Sequence, residues 1–475
     1  MSKFNAKHVA ATTYEGGIAR EKDPFDEWIN FLFSSYMEDG YYESANTQMD
    51  RYVDLTKKIG ECYGWEFVAR ASFFARNYLG MRSISQITAA MLNDVSFQEK
   101  RNYFKNFFHR PDDVAEVFAA IENVGSGKRS HALVRGAADY LSSLNAYSLG
   151  KYQMKGKQYN LYDLINITHA TSKDINHYKN DTLPVVDTWE TAISTAAPEN
   201  KGEEWKRLVE EHKLGYLALI RNLRNIIETN TDTSWLEEYV CPQLENEYAI
   251  RKSLVFPYQI YQAYRFAPKV FCVEYSLEKA FRIACKNVST FPGVTTILLD
   301  VSGSMSAPIS SKSDISIGEV GAVFAATLYL NNDNDNIHLI KFGSTAKVCH
   351  YSLIHTNIFA AIDQMCKNEG CGYSTCIDEA FVKVNYQTDR VFVISDMQAM
   401  AGYEPYFEDY CNKMNPDCKC YSFDLGNYHW GTRISNRSNV HFITSLNEKI
   451  FDFVNLLESG NSSIMEYINT NYNYC

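Results

Sequence analysis

The chain has 475 residues, with 46 Lys and Arg against 57 Asp and Glu, and 45% hydrophobic and 22% charged residues. That composition excludes wholesale disorder, and 24 Gly and 11 Pro exclude collagen-like and Pro-rich linker proteins. No apolar run reaches the ~18 residues of a membrane helix, and the start MSKFNAKHVAATTYEGG lacks the apolar segment of a secretory signal, so a cytoplasmic protein without a membrane partner is expected.

The net charge of −11 is unevenly spread. Residues 51–160 carry 16 basic and 10 acidic groups, residues 161–250 carry 8 and 16, and residues 291–475 carry 11 and 20. A nucleic-acid partner is compatible with this balance, because recognition depends on a local patch rather than on the sum.

From about residue 50 to 290 the apolar spacing is helical. WEFVARASFFARNYL (65–79), SQITAAMLND (85–94), DVAEVFAAIENV (113–124), SHALVRGAADYLSSL (130–144) and YDLINITHA (162–170) place apolar residues three and four apart. EEWKRLVEEHKLGYLALIRNLRNIIETN (203–230), SWLEEYVCPQLENEYAIRKSL (234–254), PYQIYQAYRFA (257–267) and SLEKAFRIACKNV (276–288) continue the pattern. Short polar or glycine breaks separate these stretches, as in an irregular helical solenoid.

GSGKRS (125–130) fails as a phosphate-binding P-loop, since Glu122 and Arg129 stand at key positions and no buried strand precedes it. It opens a basic run of Lys128, Arg129, Arg135, Lys151, Lys155 and Lys157, interleaved with Tyr152, Tyr159 and Tyr162. Cations can neutralise phosphates and aromatic rings can stack on unpaired bases. His169 stands alone on an amphipathic stretch, where a packed or surface histidine is the ordinary reading.

From Phe291 the rhythm changes to strands at 294–302, 336–342, 347–353, 390–396, 419–426 and 439–444. Helical patterns at 317–332, 357–368, 376–386, 406–415 and 447–459 alternate with them. This alternation predicts a doubly wound α/β domain. The Asn-rich tail after Gly460 is expected on the surface. The twelve Cys show no paired zinc spacing and are expected to be reduced, inert thiols.

Asp300-Val301-Ser302-Gly303-Ser304 sits at the carboxyl end of the strand TTILL, where open α/β sheets bind ligands. One carboxylate and two alternating hydroxyls suit a hard cation. VFVISD supplies Asp396 at a second strand end, and Gly372-Tyr373-Ser374-Thr375 supplies a loop hydroxyl. Ser302 lies outside a G-x-S-x-G elbow, and His338, His350 and His355 show no triad arrangement, so an enzyme is not expected. The set resembles the metal-ion-dependent adhesion site of the von Willebrand factor A domain. By position that resemblance implies Asp300, Ser302, Ser304, Thr375 and Asp396 as ligands of a divalent cation, Mg²⁺ or alternatively Mn²⁺. The family loop reads G-G-T, so Ser374 stays open as a substitute for Thr375.

A helical-repeat region followed by one such domain resembles the TROVE family of Ro ribonucleoproteins. GSGKR, KYQMKGKQYNLYDLINITHA (151–170), GYLALIRNLRNI (215–226) and FPYQIYQAYR (256–265) fall in the family's order, although Phe256 replaces a family His. The resemblance implies a ring of HEAT-like helical repeats over 1–290 and a von Willebrand A-like domain over 291–475. It implies an RNA-binding subunit that takes small structured, Y-like RNA on its outer surface and single-stranded ends of misfolded non-coding RNA in a central hole. By position Lys128, Arg129 and Arg135 join a basic rim, and Lys151, Lys155, Lys157 and His169 the surface for structured RNA. An exoribonuclease or other protein is an expected partner through the metal site. The alternative is a metal-dependent protein-interaction scaffold that binds no RNA.

Overall fold

Every residue of TTILLD (295–300) and RVFVIS (390–395) is buried, as strands covered by helices on both faces require. In the computed structural model the described residues are 12–13, 15–19, 23–34, 44–184, 188–309, 313–332, 336–351, 353, 356–400, 405–426, 431–435, 437, 439–443, 450–458 and 464–474. His355 and the first residues of the expected helix 447–459 lie outside them.

The described residues divide into two compact units. One comprises those within Met1–Asp23, Glu38–Thr47 and Thr233–Asn455, and the other those within Pro24–Met37, Gln48–Asp232 and Leu456–Cys475. Among the described residues no helix is long and apolar enough to cross a membrane.

The first unit is built on a six-stranded sheet: β1 (Thr295–Asp300), β2 (Ile337–Phe342), β3 (Ala346–Cys349), β4 (Arg390–Ser395), β5 (Lys419–Asp424) and β6 (Val440–Ile443). The strand order is β3-β2-β1-β4-β5-β6. All neighbours are parallel except β2 and β3. β3 is a short edge strand with two exposed residues, so the expected strand 347–353 ends early and turns back antiparallel. The order reverses between β1 and β4, which opens a crevice at their carboxyl ends.

The helix Ile317–Asn331 lies against this sheet and is buried along most of its length. Ser316 and Glu319 close its amino terminus with a capping box. Glu319 also accepts from Tyr261 (2.8 Å) and Arg265 (3.0 Å) of the helix Pro257–Phe266. Arg282, on the helix Phe271–Cys285, donates to the carbonyls of Leu353 (2.8 Å) and Thr356 (2.9 Å). The helices after Thr233 therefore pack in the same unit as the sheet. The stretch 234–254 is broken: a π turn covers Leu236–Val240 just before Pro242, which lacks an N–H for the helical ladder, and a new helix starts at Glu247.

The second unit is all helical. Its core joins rings from successive helices, among them Trp28, Tyr52, Phe74, Tyr103, Phe104, Phe107 and Phe118. The helical run read over 203–230 is two helices, Lys201–Glu210 and Tyr216–Thr229, with His212 in the left-handed region between them. The tail after Gly460 corrects the surface expectation. Ile464–Asn471 is helical, and Ile468 and Tyr474 are buried. Tyr472 meets Phe74 edge-on (4.5 Å between centroids), Tyr474 meets Tyr103 (5.4 Å), and the Tyr474 carbonyl accepts from Asn106 (2.8 Å). Apolar side chains at helical spacing outweigh the Asn-rich composition here, because burying one aromatic ring is worth more than the hydration of several amides.

Asp113 fastens the middle of this unit. Its fully buried carboxylate accepts from Arg76 (2.7 Å), Gln86 (2.8 Å), Arg82 (3.1 Å) and the N–H groups of His109 and Arg110 (both 3.1 Å). Burial pushes this carboxyl up, but Arg76 and Arg82 more than offset that and hold it below the usual value. Asp113→Ala should therefore cost about 3–5 kcal/mol, because Arg76 loses its buried partner. Since the folded value is depressed, the contribution is fully present above the unfolded value near 3.8 and is lost as pH falls through the lower folded one. Urea unfolding should show the full difference between the two proteins near neutrality and a shrinking one below about pH 3.

Candidate functional site

The crevice between β1 and β4 gathers the expected oxygen ligands. Asp300 ends β1, and Asp396 follows β4. Both are buried, as are Ser302 and Thr375, while Ser304 is half-buried. Asp300 Oδ1 accepts from the Ser302 N–H (2.8 Å), and its Oδ2 accepts from Ser395 Oγ (2.5 Å). The Ser302 and Ser304 hydroxyls lie 3.4 Å apart, so the alternating serines do face one way.

The loop carrying Thr375 is held from several sides. Asn368 donates to the carbonyls of Val301 (2.8 Å) and Gly372 (2.7 Å), which ties it to the end of β1. The Gly303 N–H donates to the Tyr373 carbonyl (2.9 Å). Lys341, fully buried in β2, reaches the carbonyls of Gln364 (3.1 Å) and Lys367 (2.9 Å) and the Glu369 carboxylate (3.0 Å). Gly372 adopts a φ of +83° with Ser344 pressed against it, a conformation and clearance that suit glycine. The Ser374 N–H is fixed by Ser344 Oγ (3.1 Å), and the Met400 N–H donates to the Thr375 carbonyl (3.1 Å). Thr375 is buried and Ser374 half-buried.

Two buried carboxylates in one crevice repel. Burial and the neighbouring Asp396 push the Asp300 carboxyl up to about 7, although Ser395 and Ser302 oppose this. Burial likewise pushes Asp396 up, against the hydrogen bonds of Ser304 and Gln398. Asp396 Oδ2 is buried without a hydrogen-bond partner. A buried acceptor of this kind costs free energy unless something positive meets it. Among the described residues no three His, Cys, Asp or Glu side chains gather as a metal cluster, so a cation here would depend on the serine and threonine hydroxyls as well. Two carboxylates and three hydroxyls are a donor set that fits a small hard divalent ion.

The expected nucleic-acid residues divide by environment. Lys128, Arg135, Lys155, Lys157 and His169 are exposed. Arg129 is half-buried, pairs with Tyr159 and Glu122, and stacks on Phe118 (4.9 Å) and Tyr159 (5.1 Å). Lys151 bonds Glu190 (3.0 Å) and lies over Tyr147 and Tyr152 (both 5.7 Å). These two cations brace the surface. His169 is the left-handed C-cap of the helix Leu161–Thr168, a place that suits a cation. The GSGKRS turn is tied down by Asp94, which accepts from the Ser126 N–H (2.6 Å) and hydroxyl (2.7 Å), and by Asn93, which accepts from the Ser130 N–H (2.8 Å). Tyr147 and Tyr162 stand exposed on the same stretch.

A second aromatic and cationic face was not singled out from the sequence. Phe271 is 85% exposed, Tyr248 72% and Tyr275 53%. Lys279 lies over Tyr275 (4.4 Å) and Lys252 over Tyr248 (5.6 Å). Its signal in the sequence is the charge balance of residues 251–290, seven Lys and Arg against two acidic residues, within helical spacing that does not show which face they share. Glu245 and Glu247 neutralise part of this charge through Lys279 (2.9 Å) and Arg251 (2.7 Å). Among the cysteines, burial pushes the thiols of Cys411, Cys418 and Cys420 up, as inert thiols require.

In chelator, Asp396→Asn should unfold later than the wild type by about 1–3 kcal/mol near pH 8, because one buried charge is removed. Both carboxyls are raised in the fold, so the wild-type penalty is small below the unfolded value near 3.8 and grows as pH rises toward the folded ones. Chemical denaturation should show the two proteins converging near pH 4.

Residues 177–270 match the TROVE domain family. The matched segment runs from the second compact unit into the first. Over 112 residues the chain is 30% identical to telomerase protein component 1 of Mus musculus, which is 24% of this chain and 4% of that protein. The chain thus spans a small part of the length of that relative. The crystal structure of the RO (RSR) protein of Deinococcus radiodurans superposes with a TM-score of 0.63 at 16% identity, covering 89% of this chain and 96% of that one. A helix-rich amino-terminal part followed by a mainly parallel sheet is common to both folds, and residues 177–270 within it are similar to the TROVE domain.

Proposed function

We propose that this protein is an RNA-binding ribonucleoprotein subunit, without chemistry of its own, whose α/β domain holds a divalent cation. The RNA reading rests on one observation above all: exposed cations stand near exposed rings in the segment that precedes the TROVE match. Lys128, Lys155 and Lys157 make no ion pair among the described residues, and the exposed Tyr147 and Tyr162 flank Lys155 and Lys157 in the sequence. Lysines of this kind serve phosphates, and exposed rings serve unpaired bases. Small structured, Y-like RNA is the ligand proposed for the Lys128–His169 surface, and a single-stranded end for the Phe271–Tyr275 face. RNA quality control is the role that would unite them, in the cytoplasm and with an exoribonuclease as a candidate partner.

Reversing Lys128, Arg135, Lys155 and Lys157 to Glu should weaken binding of a small structured RNA. Each lost phosphate contact should flatten the salt slope by about 0.9 for duplex and 0.7 for single strands. Phe271→Ala with Tyr275→Ala should weaken a bare single strand instead, by roughly 1–3 kcal/mol per stacked base. Filter binding at several salt concentrations reads both. Unchanged affinity for both RNA types in all variants would favour the scaffold reading.

The cation reading is carried by the buried, unpartnered Asp396 Oδ2 beside Asp300. When bound, Mg²⁺ or Mn²⁺ would supply positive charge and an open position for an oxygen ligand. Asp300, Asp396, Ser302, Ser304 and Thr375 would hold it. Asp300→Ala should abolish Mn²⁺ binding in calorimetry while helical circular dichroism stays unchanged. Wild-type affinity in that variant would remove the site.

A further inference from the structure

Cysteine spacing predicts inert thiols, and Cys411, Cys418 and Cys420 fit that reading because they are fully buried. Cys241 and Cys272 differ. Cys241 opens the short helix Cys241–Leu244, and Cys272 lies in the first turn of the helix Phe271–Cys285. The two helices pack against each other, and polar contacts fix their register. Glu245 accepts from Ser276 Oγ (2.8 Å) and Lys279 Nζ (2.9 Å), and Glu247 pairs with Lys286 (3.9 Å). Residue numbers rise together along both segments, so they run the same way. Cys241 stands four residues before Glu245, and Cys272 four residues before Ser276, which is about one helical turn in each case. That register sets the two cysteines opposite each other, and the Cys241 thiol lies within hydrogen-bonding reach of Cys272 and Ser276.

Both are free thiols with unequal access: Cys241 is buried and Cys272 half-buried, beside the exposed Phe271. Burial pushes the Cys241 thiol up, more than the Ser276 hydrogen bond lowers it. Access divides the work of such a pair, since the reachable sulfur meets an oxidant first and the buried one resolves it. The backbone before Cys241 is irregular as well. The π turn Leu236–Val240 precedes it and Pro242 follows it, so a small shift of Cys241 breaks no continuous helical ladder.

We propose that Cys241 and Cys272 are a redox modification site, at which a peroxide joins them in a disulfide that pins the first turn of the helix Phe271–Cys285 to the helix Cys241–Leu244. In the first step the Cys272 thiolate attacks one oxygen of hydrogen peroxide. The O–O bond breaks, the sulfur is oxidised to a sulfenic acid, and the departing hydroxide takes up the proton that the thiol gave up. In the second step the Cys241 sulfur attacks that of Cys272. The S–S bond forms, the S–O bond breaks, and the hydroxyl leaves as water with the Cys241 proton. Two thiols and one peroxide thus become one disulfide and two waters. The pinned turn carries Phe271 and Tyr275, the latter under Lys279 (4.4 Å), so oxidation would hold these exposed rings on a fixed support.

The test uses the full chain, first reduced and then exposed to hydrogen peroxide. Remaining thiols are alkylated, and a digest is mapped by mass spectrometry without reductant. The wild type should lose alkylation at Cys241 and Cys272 together and yield their two peptides joined, lighter by two hydrogens than the separate pair. Dithiothreitol should restore both thiols. Cys241→Ser should instead leave Cys272 as a sulfenic acid that dimedone traps. The Glu274 amide, which donates to the Val270 carbonyl (2.9 Å), should exchange more slowly after oxidation of the wild type and not of the variant. If peroxide leaves both wild-type cysteines open to alkylation, joins either to another cysteine, or carries Cys272 to a sulfinic acid without a joined peptide, the site is overturned. That readout comes from the wild type and does not depend on how the variant folds. A joined pair with unchanged Glu274 exchange would overturn the pinning of the helix.

Discussion

Two carboxylates buried side by side at the ends of adjacent parallel strands are the constraint on which the α/β unit turns. Like charges in a crevice shielded from water are costly, and burial raises both carboxyls, that of Asp300 to about 7. The surrounding structure is arranged around that cost. Ser395 and the Ser302 N–H serve Asp300, Ser304 and the Gln398 N–H serve Asp396, and one oxygen of Asp396 is left over. The crevice exists because the strand order reverses between β1 and β4, so the two helical crossovers depart in opposite directions and leave the strand ends uncovered.

The loops converging there are held by groups that would be unusual in a plain core. A fully buried lysine, Lys341, fastens the 364–372 segment through two carbonyls and Glu369, and Asn368 ties the same segment to the end of β1. These polar anchors are fully engaged, which is the condition under which a buried polar network fixes geometry rather than loosening it. The same logic operates in the helical unit, where Asp113 collects two arginines, a glutamine and two backbone N–H groups. Each unit therefore carries a buried carboxylate centre of this kind. The one in the helical unit is neutralised by the chain's own cations, and the one in the sheet unit is not.

The cationic surface shows how packing sorts residues of one type. Arg129 and Lys151 belong to the same basic run as Lys155 and Lys157, yet they are drawn onto rings and carboxylates of neighbouring helices. A guanidinium held over the rings of Phe118 and Tyr159 is a brace, because its departure would uncover them. Lys128, Lys155 and Lys157 are exposed and show no such partners among the described residues.

Much of this protein was legible in the residues themselves. The apolar stretches 297–299 and 391–394 marked covered strands, and alternation put the oxygens of Asp300, Ser302 and Ser304 together at the end of one of them, since every second side chain points to one side. Helical spacing located most helices before residue 290, because the period of 3.6 is written in the order of apolar residues. Tertiary structure decided what depends on distant partners. It turned the Asn-rich tail into a packed helix through Ile468, Tyr472 and Tyr474, which met the rings of Phe74 and Tyr103. It assigned the helices after Thr233 to the unit of the sheet, and it brought a hairpin at residues 12–19 to a strand end almost four hundred positions away. No local pattern could announce these pairings, because a contact between segments far apart is set by the shape and charge of both, and each sequence segment carries only its own half.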